Sequence, residues 1–160
     1  MRKCHALLLV ILLLFLYGCS EKPDYITPVQ VYYTSSQVDF HSTYGIISTE
    51  TIEYEGWENK TRDFLNHYLS GPHSQDLTSP FPTGAWILDM TQEESIINIQ
   101  LNTHFSRLSP NEYTLACTCL SLTIFDLLHA EVVNIQISGS DQILSMNRDN
   151  LIFSENNEYK

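Results

Sequence analysis

Clustered carboxylates are the first feature of this sequence that could carry out chemistry. The clustered side chains are Glu50, Glu53, Glu55 and Glu58, and further on Glu93 and Glu94. Two carboxylic acids at a suitable separation can hydrolyse a glycosidic bond, one as general acid and the other as base or nucleophile. However, the glutamates around Ile52 and Tyr54 alternate with apolar residues, as in a strand with one face in solvent. We therefore predict no catalytic residue and keep a glycan hydrolase, or a subunit of one, as the alternative function.

The histidines give no sign of a metal site or a catalytic triad. They are scattered through the chain at His41, His67, His73, His104 and His129. They do not combine with the cysteines into the ligand set of a zinc site. Neither a nucleophile elbow nor a glycine-rich phosphate loop is present. The sequence predicts no metal and no cofactor.

Two cysteines in the second half of the chain could suggest a redox or metal site. Cys117 and Cys119 lie in a segment with strong helical character. Residues two apart on a helix are rotated by roughly 200°, so the two sulfur atoms point in different directions. That geometry suits neither a shared metal nor a disulfide. We predict two buried free thiols.

The N-terminal segment has the layout of an export signal. "MRKCHALLLVILLLFLYGCS" has a basic start, an apolar run over 6–17 and small residues after it. The run is shorter than the roughly 20 residues of a membrane-spanning helix. "LYGC" resembles the lipobox of bacterial lipoproteins, which implies cleavage after 1–18 and lipid attachment to Cys19. An uncleaved short anchor and an ordinary secreted protein remain the alternatives, and 19–28 is expected to be a tether.

Charge limits the partners. The chain carries a formal charge of −11, and loss of 1–18 would leave six basic against nineteen acidic residues, a charge of −13. No basic patch remains, which argues against nucleic acid and against electrostatic adhesion to anionic lipid. We expect attachment to the outer side of the cell membrane through the acyl chains, and a protein or cell-wall partner.

The remaining sequence alternates strands and helices. Strands are predicted at 29–34, 42–55, in "AWILDM" and "SIINIQLN" as a hairpin, and in "EVVNIQISG". An apolar stripe predicts a helix over 58–70, with Arg62, Asp63, Asn66 and His67 facing solvent. A further strand is predicted at Leu151–Phe153. The stretch 69–88, rich in proline, is interpreted as a connection and not a linker between domains.

The second helix has the best-marked start. Ser109, Pro110 and Glu112 form the pattern of a capping box with proline at the first helical position. The helix should run to about His129 and is apolar on nearly all sides, which predicts burial on more than one face. The order ββαββαβ predicts an α+β two-layer sandwich: one mixed or antiparallel sheet of three or four strands with both helices on one face.

The predicted core has ten members from both helices and two strands. They are Phe64, Leu65, Tyr68, Ile97, Ile99, Leu120, Ile124, Val133, Ile135 and Ile137. The tripeptide Asn-Ile-Gln occurs in both of these strands, and strand alternation then directs the amides outward. The residues expected on that side are Asn98, Gln100, Asn102, Asn134, Gln136 and Ser138. We name Asn98, Gln100, Asn134 and Gln136 the amide face; it is either a contact surface for a protein or glycan, or merely solvated.

Five segments in order resemble the GerMN domain of sporulation and spore-germination lipoproteins. They are "VQVYY", "FLNHYLSGP", "LTSPFPTGAWIL", "INIQLNTHF" and "EVVNIQISG". The resemblance covers 29–140 and leaves 141–160 as a C-terminal extension. It implies a non-catalytic module that acts by binding or assembly on the membrane surface, in sporulation, germination or general envelope function.

Overall fold

The computed structural model describes residues 26–36, 45–55 and 60–151. The elements are β1 (Ile26–Ser35), β2 (Ile47–Glu55), α1 (Thr61–Tyr68), β3 (Leu77–Thr78), β4 (Ile87–Glu93), β5 (Ile96–Leu101), a 3₁₀ helix (Thr103–Arg107), α2 (Pro110–Leu128), β6 (Val132–Ile137), β7 (Ile143–Asn147) and α3 (Arg148–Leu151). None of the helices in these ranges combines the length and apolar character needed to cross a membrane.

The strands form two sheets. The first has three strands in the order β2-β1-β3, all antiparallel. The second has four strands in the order β4-β5-β6-β7, in which β5 and β6 are parallel and the two outer pairs antiparallel. The predicted α+β class is confirmed, and the seven predicted elements occur in the predicted order, with β3, β7, α3 and the 3₁₀ helix in addition. The prediction of one sheet is wrong, because β1 pairs with β2 on one side and with β3 on the other, and not with the later strands.

Helix α2 is the centre of the molecule. Its capping box is formed: the Ser109 hydroxyl accepts from the Glu112 N–H, and the Glu112 carboxylate accepts from the Ser109 N–H. The helix contacts both β1 and β6, and the ten consecutive residues 116–125 are all buried. Burial on more than one face is therefore confirmed. The helix ends at Leu128, after which His129 takes a left-handed conformation.

Helix α1 is shorter than predicted within the described residues. It spans Thr61–Tyr68 and buries Leu65 and Tyr68. Asn66 was predicted to face solvent, and this is wrong: the side chain is buried and its amide bonds the backbone of Ile87 through both functional atoms. A satisfied amide can be buried at little cost, so polarity alone does not indicate exposure.

The predicted core is confirmed. Eight of its members are buried in one cluster, and Phe64 and Ile137 pack against that cluster half-buried. Residues of α1, α2, β5 and β6 thus meet on one side of the four-stranded sheet, and the Asn and Gln residues of β5 and β6 lie on its other side.

The connection 69–88 is held by its own contacts. Phe81 is buried against the rings of Tyr33 and Tyr68, with centroid distances of 6.3 and 5.0 Å. Leu77 and Thr78 add the short strand β3 to β1. The segment is therefore a connection, as predicted, and it also completes the first sheet.

The end of the described chain differs from the prediction. The last strand is β7, which pairs with β6. The prediction of a strand at Leu151–Phe153 is wrong for Leu151, because this residue is the last of the short helix α3. Residues 152–153 lie outside the described residues. Arg148 turns toward the helix layer, where its guanidinium donates to the Asp126 carboxylate at 2.8 Å.

Candidate functional site: the amide face of the four-stranded sheet

The amide face is positioned by the parallel pairing of two similar strands. In the register of β5 and β6, Asn98 lies beside Asn134 and Gln100 beside Gln136. The intervening Ile99 and Ile135 are buried in the core. Because side chains alternate along a strand, anchoring the isoleucines fixes all four amides on the opposite face. The four amides therefore form an asparagine row (Asn98 and Asn134) and a glutamine row (Gln100 and Gln136), and the isoleucine pair lies between the two rows.

The asparagine row is internally hydrogen-bonded. The Asn134 amide donates through Nδ2 to Asn98 Oδ1 at 2.9 Å. Asn98 Nδ2 in turn lies 3.4 Å from the Thr91 hydroxyl on β4. This chain of bonds runs across three strands and leaves Asn134 Oδ1 without a partner among the described residues. It holds the asparagines in fixed orientations.

The glutamine row has unused hydrogen-bonding capacity. Gln136 donates through Nε2 to the Ser140 carbonyl at 2.6 Å, which leaves its Oε1 free of protein partners in the described ranges. Gln100 and its strand neighbour Asp89 are paired in the sheet register. Neither side chain has a hydrogen-bond partner in the part of the chain that the structure describes. An amide offers two donors and one acceptor oxygen, and a carboxylate offers only acceptors.

The amides form the floor of a shallow hollow of about 320 Å³. Its lining comprises Asp89, Thr91, Asn98, Ile99, Gln100, Asn134, Gln136 and Ile143. Asp89 supplies the only carboxylate of this lining, and no lysine, arginine or histidine contributes to it. The lining thus carries one negative charge and is otherwise uncharged, in a chain with a formal charge of −11.

Exposed apolar side chains border the same face. Ile143 on β7 is 62% exposed and lies at one side of the hollow. Trp86, the residue before β4, is 51% exposed, and alternation along an extended backbone directs its side chain to the face opposite that of the buried Ile87. The carbonyl of Trp86 accepts from the N–H of Asn102, which places the backbone of Trp86 two residues beyond Gln100 along the sheet.

The remaining two residues predicted on this side do not line the hollow. Asn102 donates through Nδ2 to the Gly84 carbonyl at 2.7 Å and thereby fastens the connection to the sheet, while its Oδ1 is buried without a partner. Ser138 is half-buried, and its N–H donates to the Leu101 carbonyl. Of the predicted outward residues, only the four of the amide face come together in the hollow.

The predicted carboxylates do not converge there. The Glu50 carboxylate accepts from the N–H groups of His73 and Ser74 at 3.0 Å each, so it fastens a loop to the first sheet. Glu53 is exposed on β2, and Glu93 and Glu94 are exposed at the β4–β5 turn. The side chain of Glu55 and the residue Glu58 lie outside the described set.

The histidines are also dispersed. His104 Nδ1 lies 2.8 Å from the Thr83 carbonyl, and His67 and His73 have ring centroids 6.0 Å apart on another surface. His129 follows α2, and His41 is outside the described residues. Among the described residues, no group of three or more His, Cys, Asp or Glu side chains is arranged to hold a metal ion.

Cys117 and Cys119 are buried free thiols, as predicted. Burial raises the pKa of each thiol to about 12. Because the thiolate is the reactive form, both sulfur atoms are chemically inert at neutral pH.

Sequence reasoning found the amides but missed the walls of the hollow. Asp89 and Thr91 share the amide face because β4 has an irregularity between Ile87 and Asp89, which shifts its register against β5. Such a bulge has no clear sequence signature in this segment. Ile143 was missed because β7 was not predicted.

Comparison with solved structures identifies the fold. The first GerMN domain of the sporulation protein GerM from Bacillus subtilis matches with a TM-score of 0.56 and 11% identity, over 72% of this chain and 86% of that domain. The tandem GerMN domains of the same protein match with a TM-score of 0.55 and 16% identity, over 78% of this chain and 43% of that structure. The chain has the GerMN fold.

Other comparisons add little. A Clostridium perfringens protein described as a candidate lipoprotein matches with a TM-score of 0.48 and 14% identity, over 83% of this chain and 95% of that one. No family model and no curated protein matches the sequence. This chain spans less than half of the tandem GerM structure. At these identities the likeness concerns the fold.

Proposed function

We propose that this protein is a lipid-anchored, non-catalytic binding module of the bacterial cell envelope, which holds its partner on the amide face. The observation that carries the proposal is the set of partly unpaired amides on one side of the sheet, in a hollow whose lining has a single carboxylate. Neutral amides can exchange water for a partner's hydrogen bonds without the desolvation penalty of buried ions.

The N-terminal segment supports the proposed location at the membrane. Cys19 is proposed as the lipidated first residue of the mature chain, on the outer side of the cell membrane. Two acyl chains on one cysteine suffice for stable attachment. The GerMN fold, shared with a protein named for sporulation, supports a role in sporulation or spore germination. A general role in the envelope is the broader form of the same proposal.

In the described part of the chain, the arrangement of the acids favours binding over hydrolysis. Glycoside hydrolysis requires two carboxyl groups about 5 to 9.5 Å apart that flank one bond. The lining of the hollow contains the single carboxylate of Asp89. The described side chains of Glu50, Glu53, Glu93 and Glu94 do not belong to that lining. A binding role uses the residues that are present.

The test places two charges on the amide face of the acylated full chain. The Gln100→Lys/Gln136→Lys double variant should fold normally, yet recover at least tenfold less partner from native envelope extract, because lysine ammonium groups would have to be desolvated at the contact. Gln30→Lys/Gln92→Lys is the matched control, since both glutamines are exposed on other surfaces. Unchanged capture by the first variant, with a native circular dichroism spectrum, would exclude the amide face.

A further inference from the structure

The chemistry of the amide face indicates which class of partner it fits. We propose that it binds a neutral, hydroxyl-rich glycan chain, with the sugar hydroxyls on the glutamine row and a sugar ring against Trp86. The inference rests on the proposed function, because it names the ligand class of the same face.

The unpaired polar groups of the amide face match the hydrogen-bonding pattern of a sugar. The groups left without a protein partner in the described ranges are the Gln100 amide, the Asp89 carboxylate, Gln136 Oε1 and Asn134 Oδ1. Acceptors therefore predominate, and the Gln100 NH₂ adds two donors. A hydroxyl group both donates and accepts, so a row of sugar hydroxyls can match this mixture. Neighbouring strands lie roughly 4.8 Å apart, which is comparable to the width of a pyranose ring.

The charge of the lining argues against ionic ligands. An anionic ligand would meet the Asp89 carboxylate without any lysine, arginine or histidine in the lining, in a chain of formal charge −11. A cation would find one exposed carboxylate, and exposed ion pairs contribute little to affinity. An uncharged ligand avoids both difficulties.

The exposed apolar side chains near the amide face also favour a sugar ligand. Trp86 and Ile143 are the two most exposed of the large hydrophobic side chains in the described ranges, at 51% and 62%. The face of an indole carries partial negative charge, and the C–H groups on one face of a sugar ring carry partial positive charge. An exposed indole can therefore contact the apolar face of a sugar ring, while the amides bind the hydroxyl groups at its edge.

The size of the hollow sets the expected affinity. At about 320 Å³ it is at the lower end of small-molecule sites, which span roughly 300 to 1,000 Å³. It is shallow, so it fits one or two sugars of a longer chain. Dissociation constants of about 1 mM are expected for a short glycan. Many anchored copies on one membrane facing one polymer would raise the overall strength by avidity.

The experiment uses the ¹⁵N-labelled full chain in detergent micelles and observes side-chain NH₂ signals directly. Tetra-N-acetylchitotetraose is the neutral probe, and dextran sulfate is the anionic comparison. We expect saturable shifts of the Gln100, Gln136 and Asn134 side-chain signals with the neutral glycan, and no preference for the sulfated polymer. No saturable shift up to about 10 mM, or stronger binding of dextran sulfate, overturns the inference.

Three variants separate specific binding from general perturbation. Gln100→Ala and Trp86→Ala should each weaken glycan binding at least fivefold, while their backbone spectra remain native. Gln92→Ala is the control, because Gln92 is opposite the buried Ile97 in the register and so belongs to the other side of the sheet. Equal weakening by all three variants overturns the site.

The two proposals fail in different ways. If Gln100→Lys/Gln136→Lys loses an envelope protein partner and the wild type ignores the glycan, the amide face binds protein: the glycan inference is wrong and the proposed function stands. If neither envelope capture nor glycan binding depends on the amides, both are wrong.

Discussion

One buried side chain, Asn66, connects the first helix to the second sheet. Its Oδ1 accepts from the Ile87 N–H at 2.7 Å, and its Nδ2 lies 3.4 Å from the Ile87 carbonyl. Ile87 is the first residue of β4, an edge strand whose backbone groups would otherwise lack partners there. The side chain thus substitutes for a missing neighbouring strand at that point of the edge.

Asn66→Ala should lower the free energy of unfolding by about 2 kcal/mol, because the buried N–H and carbonyl of Ile87 both lose their partner. Urea unfolding of the full chain in detergent measures the change. Arg62→Ala is the control from the same helix: its guanidinium reaches the Leu88 carbonyl at 3.5 Å from an exposed position, so a change below about 0.5 kcal/mol is expected. Equal effects of the two substitutions would contradict this role of Asn66.

The sequence predicts single residues well where alternation decides their direction. The amides of β5 and β6 are outward because their isoleucine neighbours are apolar and inward. Asn66 was misassigned because helical periodicity gives the direction of a side chain but not what lies in that direction. Only the folded position of β4 supplies the partner that makes its burial favourable.

At the scale of elements, local signals predicted α2 and the β4–β5 hairpin. The capping box fixes the start of α2, and its mostly apolar sequence places the ten consecutive residues 116–125 in the interior. The strand β3 has two residues and exists only because it meets Thr34 and Ser35 of β1. Likewise, β7 has a weak apolar pattern of its own and is defined by its pairing with β6. Elements created by tertiary pairing leave little trace in the local sequence.

The capping box of α2 can be tested by removing one hydroxyl. Ser109→Ala should lower the free energy of unfolding by about 1 kcal/mol at neutral pH, because the Glu112 N–H loses its acceptor. Ser106→Ala is the control: this exposed hydroxyl donates to the Thr103 carbonyl outside the helix cap, and a much smaller change is expected.

The same pair of residues predicts a pH dependence. The hydrogen bonds from Ser109 lower the pKa of Glu112 below its ordinary value of 4.5. A group with a lowered folded-state pKa stabilises the fold above its unfolded pKa and loses that contribution as the pH falls through the folded pKa. The difference between wild type and Ser109→Ala should therefore shrink in acid. A constant difference from neutral pH to below the lowered pKa would argue against the carboxylate's part in the cap.

At the scale of the whole molecule, the first sheet is hydrogen-bonded to both helices through the edge of β1. The Tyr32 N–H donates to the Thr123 hydroxyl on α2 at 3.1 Å, and the Tyr32 carbonyl accepts from the Tyr68 hydroxyl on α1. Side chains of both helices thus occupy an edge that another strand could have taken. This explains why the single-sheet prediction is wrong: which strands pair is decided by such long-range contacts, and the strand patterns do not contain them.

Lipid on Cys19 should be what holds the molecule at the membrane. With a formal charge of −13 after cleavage and no basic patch, attraction to anionic lipid cannot hold it there, so attachment should depend on the acyl chains of Cys19. The wild type should partition into the detergent phase, and its N-terminal peptide should begin at a diacylated Cys19 in mass spectrometry. Cys19→Ala should lose the acyl mass and, if it is still cleaved by another peptidase, move to the aqueous phase. Cys4→Ala is the matched control, because it lies within the segment expected to be removed. A wild-type protein that partitions into the detergent phase with Met1 retained and no acyl mass on Cys19 would show that the apolar run at 6–17 is itself the anchor.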